Sequence, residues 1–241
     1  MVQGVATSIK VDLTDLDLRK HLALAGATAD DIVYGYVIAT IKPDGRGGFQ
    51  QTGSAPNWQG DTLTLCTCKH EMRTSLTPEE WRRNKWIAGL CGWSQAFKKQ
   101  QSLVILMRVG ETFTSQAELV DTLLRTGRQQ VVDAKDSRAH PLGDLMVPRT
   151  PGATPNPFDP GAYFPPIRGH AHSSVDNPDQ WHNDVNHRGR SGRQPAMLVG
   201  DSNFSFRWTR PMVRRSRPGE TRPCRLWRMA DFLEDIEAVP A

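Results

Sequence analysis

The sequence predicts an α+β fold, with a curved mixed β-sheet, flanking helices and one long irregular functional loop. Three observations predict it. Strand-like runs rich in β-branched and aromatic residues recur along the chain, helix-start signatures fall between them, and a Pro-rich stretch interrupts the pattern for some sixty residues. Apolar residues make up 38% of 241, and that Pro-rich stretch accounts for the low value.

The elements follow in order. Leu13, Leu16, Leu18, Leu22 and Leu24 keep roughly helical spacing, with Asp12, Asp15 and Asp17 near the start, where a helix dipole favours acids. Ile32 to Lys42 reads as the first strand, and Pro43 to Gly60, broken by glycines, as a loop. Thr62 to Cys68 reads as the second strand, which places Cys66 and Cys68 on one face. Thr77-Pro78-Glu79-Glu80 is a helix start, with Thr at the N-cap, Pro next and Glu third. Lys85 to Cys91 and Ser102 to Val109 predict a strand pair, and Ser115 with Glu118 opens a helix to about Arg125. From about Val132 to Gln194 the prolines exclude regular structure through much of the chain. The aromatics and histidines there, Tyr163, His170, His172, Trp181, His182 and His187, point to an ordered functional loop. Strands resume at Ala196 to Asp201 and Phe204 to Trp208, before a final helix near Leu226 to Glu234.

No apolar run approaches the roughly 20 residues that cross a bilayer, and the first residues lack the apolar core of a signal peptide. Cys66, Cys68, Cys91 and Cys224 are too few and too closely spaced for a secreted disulfide scaffold. A reducing, cytoplasmic setting is expected.

The net charge is +4, and it is segregated. Arg188 to Arg228 holds eleven arginines, no lysine and two acids, interleaved with Phe204, Phe206, Trp208 and Trp227. Guanidinium groups grip phosphate with paired hydrogen bonds, and aromatic faces stack on unpaired bases. The pattern predicts a nucleic-acid or nucleotide partner, against the plainer reading of a solvated basic face over core aromatics.

Several segments carry a resemblance. They are TLCTCKHEMR (Thr64 to Arg73), Trp86-Ile87-Ala88-Gly89-Leu90, Leu103 to Val109 followed by Glu111, Phe113 and Thr114, then Gly143-Asp144 with Trp181-His182, and finally Pro195 to Asp201 followed by Phe204. In this order they resemble the nucleotide modification associated domains, phage and bacterial families found near DNA base-modification systems. The resemblance covers Ile32 to Pro211. It divides the chain into an N-terminal helical extension (1–31), an α+β domain (32–211) and an Arg-rich segment with a C-terminal helix (212–241). Two positions depart from the family pattern. His70 stands where Pro is more common, and Phe204-Ser205-Phe206-Arg207 replaces an aromatic-aromatic-Gly ending.

Candidate site residues follow. Cys68-Lys69 with Arg73 is the sharpest cluster, because cations beside a thiol favour its thiolate, or could themselves hold phosphate. His170 and His172, two apart on an extended chain, suit general acid–base work or contact with a base edge. With His182, His187, and Cys66, Cys68 or Asp184 they could also chelate a metal, although no closed zinc spacing is present and no metal is assigned. Asp201, after the buried run AMLVG, is a third catalytic candidate beside Cys68 and His170. Lys69, Arg73, His172, Trp181, Phe204, Arg207 and Arg210 are the expected nucleotide contacts. Gly45, Gly47 and Gly48 lack a P-loop Lys-Ser/Thr, and the sequence specifies no cofactor. The expected function is recognition of a modified nucleotide in DNA, in a base-modification or defence setting. Its rivals are an enzyme that modifies or removes a nucleobase group through Cys68 or a loop histidine, and a non-catalytic basic interaction protein.

Overall fold

Eight strands join in one mixed sheet. In the computed structural model, which describes residues 9–92, 101–170, 172, 176–214 and 224–238, the elements run β1 (Lys10–Val11), α1 (Asp15–Leu24), β2 (Ile32–Ile38), β3 (Ile41–Pro43), β4 (Phe49–Gln51), β5 (Thr64–Leu65), α2 (His70–Arg73), α3 (Pro78–Trp81), β6 (Trp86–Cys91), β7 (Ser102–Phe113), α4 (Gln116–Arg125), α5 (Gln129–Lys135), α6 (Asn183–Asn186), β8 (Met197–Arg214), β9 (Arg225–Arg228), α7 (Met229–Glu234) and β10 (Ile236–Ala238). The sheet order is β1-β8-β7-β6-β2-β9, with β5 and β10 also on β8, and β3-β4 form a separate hairpin. The pairs β2–β6 and β1–β8 are parallel and the rest antiparallel, so the fold is α+β.

Strand alternation sorts the core onto two faces. Tyr34, Tyr36, Ile38, Ile87, Ile105 and Met107 pack with Trp81 of α3 and Met72 of α2. Val33, Ala88, Leu90, Leu106 and Phe206 face the other way, under Leu18 and Leu22 of α1 and Met229 and Phe232 of α7. The N-terminal and C-terminal segments therefore share one core and one sheet with the middle of the chain.

Both strong helix starts are realised. Thr77 and Glu80 form a reciprocal capping box, and the Ser115 hydroxyl caps α4. Other expectations are corrected. The run from Ile32 to Lys42 breaks at an Ala39-Thr40 turn, where Thr52 N–H closes on the Thr40 carbonyl, and its end becomes β3, which forms a hairpin with β4 from the following loop. The second strand shrinks to Thr64–Leu65, because Cys68 and Lys69 turn left-handed. Cys66 then packs with Phe113 and Leu119 while Cys68 lies against the Tyr36 face, so the two thiols part. The two late strands are one 18-residue strand, whose breaks in sequence pattern coincide with register shifts against β7. Leu226 to Glu234 begins as β9 and only then becomes helical. Among the described residues no helix is long and apolar enough to cross a membrane.

Gly35 shows how tightly β9 is seated. A Cβ there would lie 1.9 Å from Trp227 Cζ3, and the buried indole is rigid. Gly35→Ala is expected to cost about 1–3 kcal/mol through overpacking, read as a lowered urea midpoint at unchanged m-value.

Candidate active site

The chain turns sharply between β5 and α2. Cys68 (φ 56°) and Lys69 (φ 49°) are both left-handed, a conformation that costs a non-glycine residue about 1–2 kcal/mol. Two such residues in succession lift the Cys68 side chain out of the strand. Strain of this kind concentrates where side-chain placement matters chemically. The turn is held from behind by Arg73, whose Nε–H donates to the Cys68 carbonyl at 2.9 Å and whose Nη1 donates to the Ala196 carbonyl at 2.8 Å.

His172 and Asp184 meet the thiol from the long loop. Cys68 Sγ lies 2.8 Å from His172 Nε2, and His172 Nδ1–H donates to Asp184 Oδ2. The other carboxylate oxygen, Oδ1, accepts from the Cys68 backbone N–H at 3.3 Å and from His70 Nε2–H at 3.0 Å. Asp184 is only 2% exposed. Burial opposes its ionisation, yet the bonds from His172 and His70 prevail and hold its carboxyl below the usual carboxylate range. Burial likewise opposes a charged His172, but its bonds to Asp184 and Cys68 carry its pKa up to about 10. A thiol, an imidazole and a buried carboxylate thus stand in the spatial relation that catalytic triads use, which is recognised by geometry rather than by sequence position.

The triad opens onto a cleft of about 540 Å³. Tyr36, Val37, Ile38 and Ala55 belong to its apolar wall, and Lys69, Glu71, Gln180, Asn183 and His187 bring polar groups to it. The Lys69 ammonium lies 5.1 Å from the Tyr36 ring centroid.

The loop is ordered by burial and by its own hydrogen bonds. His170, 1% exposed, donates through Nε2 to the Gly143 carbonyl at 2.6 Å, so its Nδ1 accepts from His172 N–H at 3.2 Å. Burial pushes the His170 pKa down, in keeping with a neutral donor and acceptor. His170 therefore shapes the loop beside the thiol and does not face it. Trp181 is buried with Tyr163, Met146 and Val185, which anchors the loop and removes Trp181 from base stacking.

Other expected contacts are also relocated. Arg73 is fully buried and bound to carbonyls, so it cannot reach a phosphate. Phe206, Trp208 and Trp227 lie in the core beneath α1 and α7 and offer no open face. Phe204 stacks on the Arg108 guanidinium at 4.2 Å, and Asp201 pairs with Arg108 at 2.6 Å, beside a different cleft. Arg207 lies over Trp58, 5.2 Å from its ring centroid, in a third groove, and Arg210 is exposed on β8. Of the remaining arginines, Arg188, Arg190 and Arg193 are exposed on the loop just past His187, Arg225 lies 5.0 Å from the Trp227 centroid, and Arg228 pairs with Asp231. Arg215, Arg217 and Arg222 lie outside the described residues.

In sequence Asp184 offers itself only as a possible metal ligand, and His70 only as a departure from a family pattern. The order Cys, His, Asp along the chain was the available signal for the triad. Among the described residues, no group of three or more His, Cys, Asp or Glu side chains is placed to hold a metal ion. Comparison with family models, with curated proteins and with solved structures finds no match.

Proposed function

We propose that the protein is a cysteine-dependent enzyme acting by covalent catalysis in the cleft beside β2. The observation that carries this reading is the continuous relay from Cys68 Sγ through His172 to buried Asp184. Sulfur attacks an electrophilic, carbonyl-type carbon of the substrate, and an S–C bond forms. As the bond from that carbon to the leaving group breaks, His172 delivers the thiol proton to the leaving group. Water then enters, His172 takes its proton, an O–C bond forms, the S–C bond breaks and the proton returns to sulfur. Asp184 keeps the imidazole in the tautomer whose Nε2 faces sulfur.

The substrate class rests on other grounds. The net charge of +4, the exposed Arg188, Arg190 and Arg193 that follow the cleft residue His187 in the chain, and the resemblance to nucleotide modification associated domains support a nucleotide or nucleic acid, with the reacting group on the base. The exposed arginines also favour a second reading, a non-catalytic module that recognises a modified nucleotide in the same cleft. That module keeps its function with Cys68→Ser, whereas the enzyme loses turnover.

Iodoacetamide labelling followed by peptide mass spectrometry tests the nucleophile. At pH 6 an ordinary thiol is less than about 1% thiolate. Cys68 is expected to alkylate about tenfold or more faster than free glutathione under the same conditions, and His172→Ala to abolish that excess. Cys224 marks the slow end of the scale, since burial pushes its pKa up to about 11. A Cys68 rate no greater than that of free glutathione excludes the proposed chemistry.

A further inference from the structure

We propose that His70 is a positioning residue of this site, which holds Asp184 so that one carboxylate locks the base and the nucleophile's backbone together. The inference rests on the cysteine-dependent reading and adds a residue to it. In a simple triad the carboxylate needs to hold only the histidine. Here one oxygen takes His172 Nδ1–H, and the other is shared by Cys68 N–H and His70 Nε2–H. Losing His70 would remove one of three donors from a carboxylate that is almost wholly out of water, where each missing hydrogen bond is costly. Asp184 could then rotate toward the remaining donors and carry His172 away from sulfur.

His70 is itself fixed. Its ring stacks on His187, with centroids 4.6 Å apart and planes 23° from parallel. His187 is held at Nδ1 by Asn183 Oδ1 (3.2 Å) and at Nε2 by Glu71 Oε1 (3.3 Å). The charged and titratable groups around His70 are therefore Asp184 and its partner His172, His187 with Glu71 beyond it, and Arg73 from within α2. Burial, chief among several influences, pushes the His70 pKa down. A neutral ring with its proton on Nε2 is the donor the geometry requires. His70 does not touch sulfur in this arrangement. It acts through Asp184, so another side-chain N–H of similar reach can replace it.

The test is the pH–rate profile of Cys68 alkylation by iodoacetamide, from pH 5 to 9, with thermal unfolding as the folding control. His70→Ala is expected to lower the rate about tenfold or more, as small displacements of a reacting pair do, and to change the shape of the profile. His70→Gln, which keeps a donor, is expected to recover the rate to within about threefold. If His70→Ala does not fold, His70→Asn, whose N–H ends short of Asp184, serves in its place. A wild-type profile in His70→Ala overturns the inference. So does a His70→Gln rate as low as that of His70→Ala, which would mark His70 as a proton-transfer group. Those failures differ from failure of the enzyme reading, in which wild-type Cys68 reacts no faster than free glutathione and the inference about His70 falls as well.

Discussion

Asp184→Asn is expected to give a folded protein whose acyl transfer from p-nitrophenyl acetate to Cys68 falls by about 10²–10⁴-fold. The reason is the tautomer. Asp184 accepts from His172 Nδ1, and this keeps Nε2 available to take a proton from sulfur. A carboxamide can present its NH₂ group to Nδ1, which moves the ring proton to Nε2 and blocks the base. The same substitution should flatten the pH dependence of stability. His172 has a folded pKa raised to about 10, so its contribution is complete below its unfolded value of about 6.5 and is lost as pH rises toward 10. Asp184 has a depressed folded pKa, so its contribution is complete above its unfolded value of about 3.9 and is lost as pH falls. The pair therefore stabilises the loop most between about pH 4 and 6.5. Urea unfolding of the variant across that window and up to pH 10 should lose this maximum. A maximum of unchanged height, or unimpaired acyl transfer, would remove Asp184 from its assigned role.

The second large effect belongs to Arg73. Its guanidinium is completely buried, bonded to the Cys68 and Ala196 carbonyls and 3.7 Å from Met197 Sδ. It ties α2 and the Cys68 turn to the start of β8. Arg73→Ala strands two carbonyls and opens a large cavity, for an expected loss of about 3–5 kcal/mol. Arg73→Met, which fills most of the volume, should lose less. In equilibrium unfolding these variants separate clearly from the exposed Arg188→Ala, which should remain within about 0.5 kcal/mol of wild type. Oligonucleotide affinity, measured on variants that remain folded, should not follow Arg73, because no polyanion reaches it. Affinity that collapses in Arg73→Met at preserved stability would restore Arg73 as a surface contact.

These outcomes also mark how much the sequence disclosed. Local signals were legible where they are self-contained. The Thr77-Pro78-Glu79-Glu80 start, the Ser115 cap and the apolar run of β7 each carry their own chemistry, and each forms the predicted element. Cys68 stood out because Lys69 and Arg73 follow it closely in the chain, and His172 because it lies in a loop with too many histidines to be filler. The role of the partner they share was hidden. Asp184 sits 116 residues after Cys68, and only the folded loop brings its carboxylate to Cys68 N–H. Arg73 was misread for the opposite reason. Its nearness to Cys68 in sequence suggested a shared surface, but α2 turns it inward, where burial and carbonyl acceptors decide its role. The arginine-rich block misled in the same way. Charge frequency along a chain says nothing about which aromatic faces remain open, and Phe206, Trp208 and Trp227 went to the core.

The way the sheet is stitched has a consequence for synthesis. β2, which forms part of the wall of the cleft beside Cys68, pairs on one side with residues 86–91 and on the other with 225–228, and β8 takes partners from residues 10–11 and 236–238. On the ribosome, translation of roughly two hundred residues separates β2 from β9, the strand that covers its outer edge. Until then a growing chain carries an open strand edge and a Gly35 notch with no indole in it. Pairings so distant in sequence are slow to form, and exposed edges invite association with other chains. The nascent polypeptide should therefore depend on chaperones late in its synthesis, with the cleft assembled only near its completion.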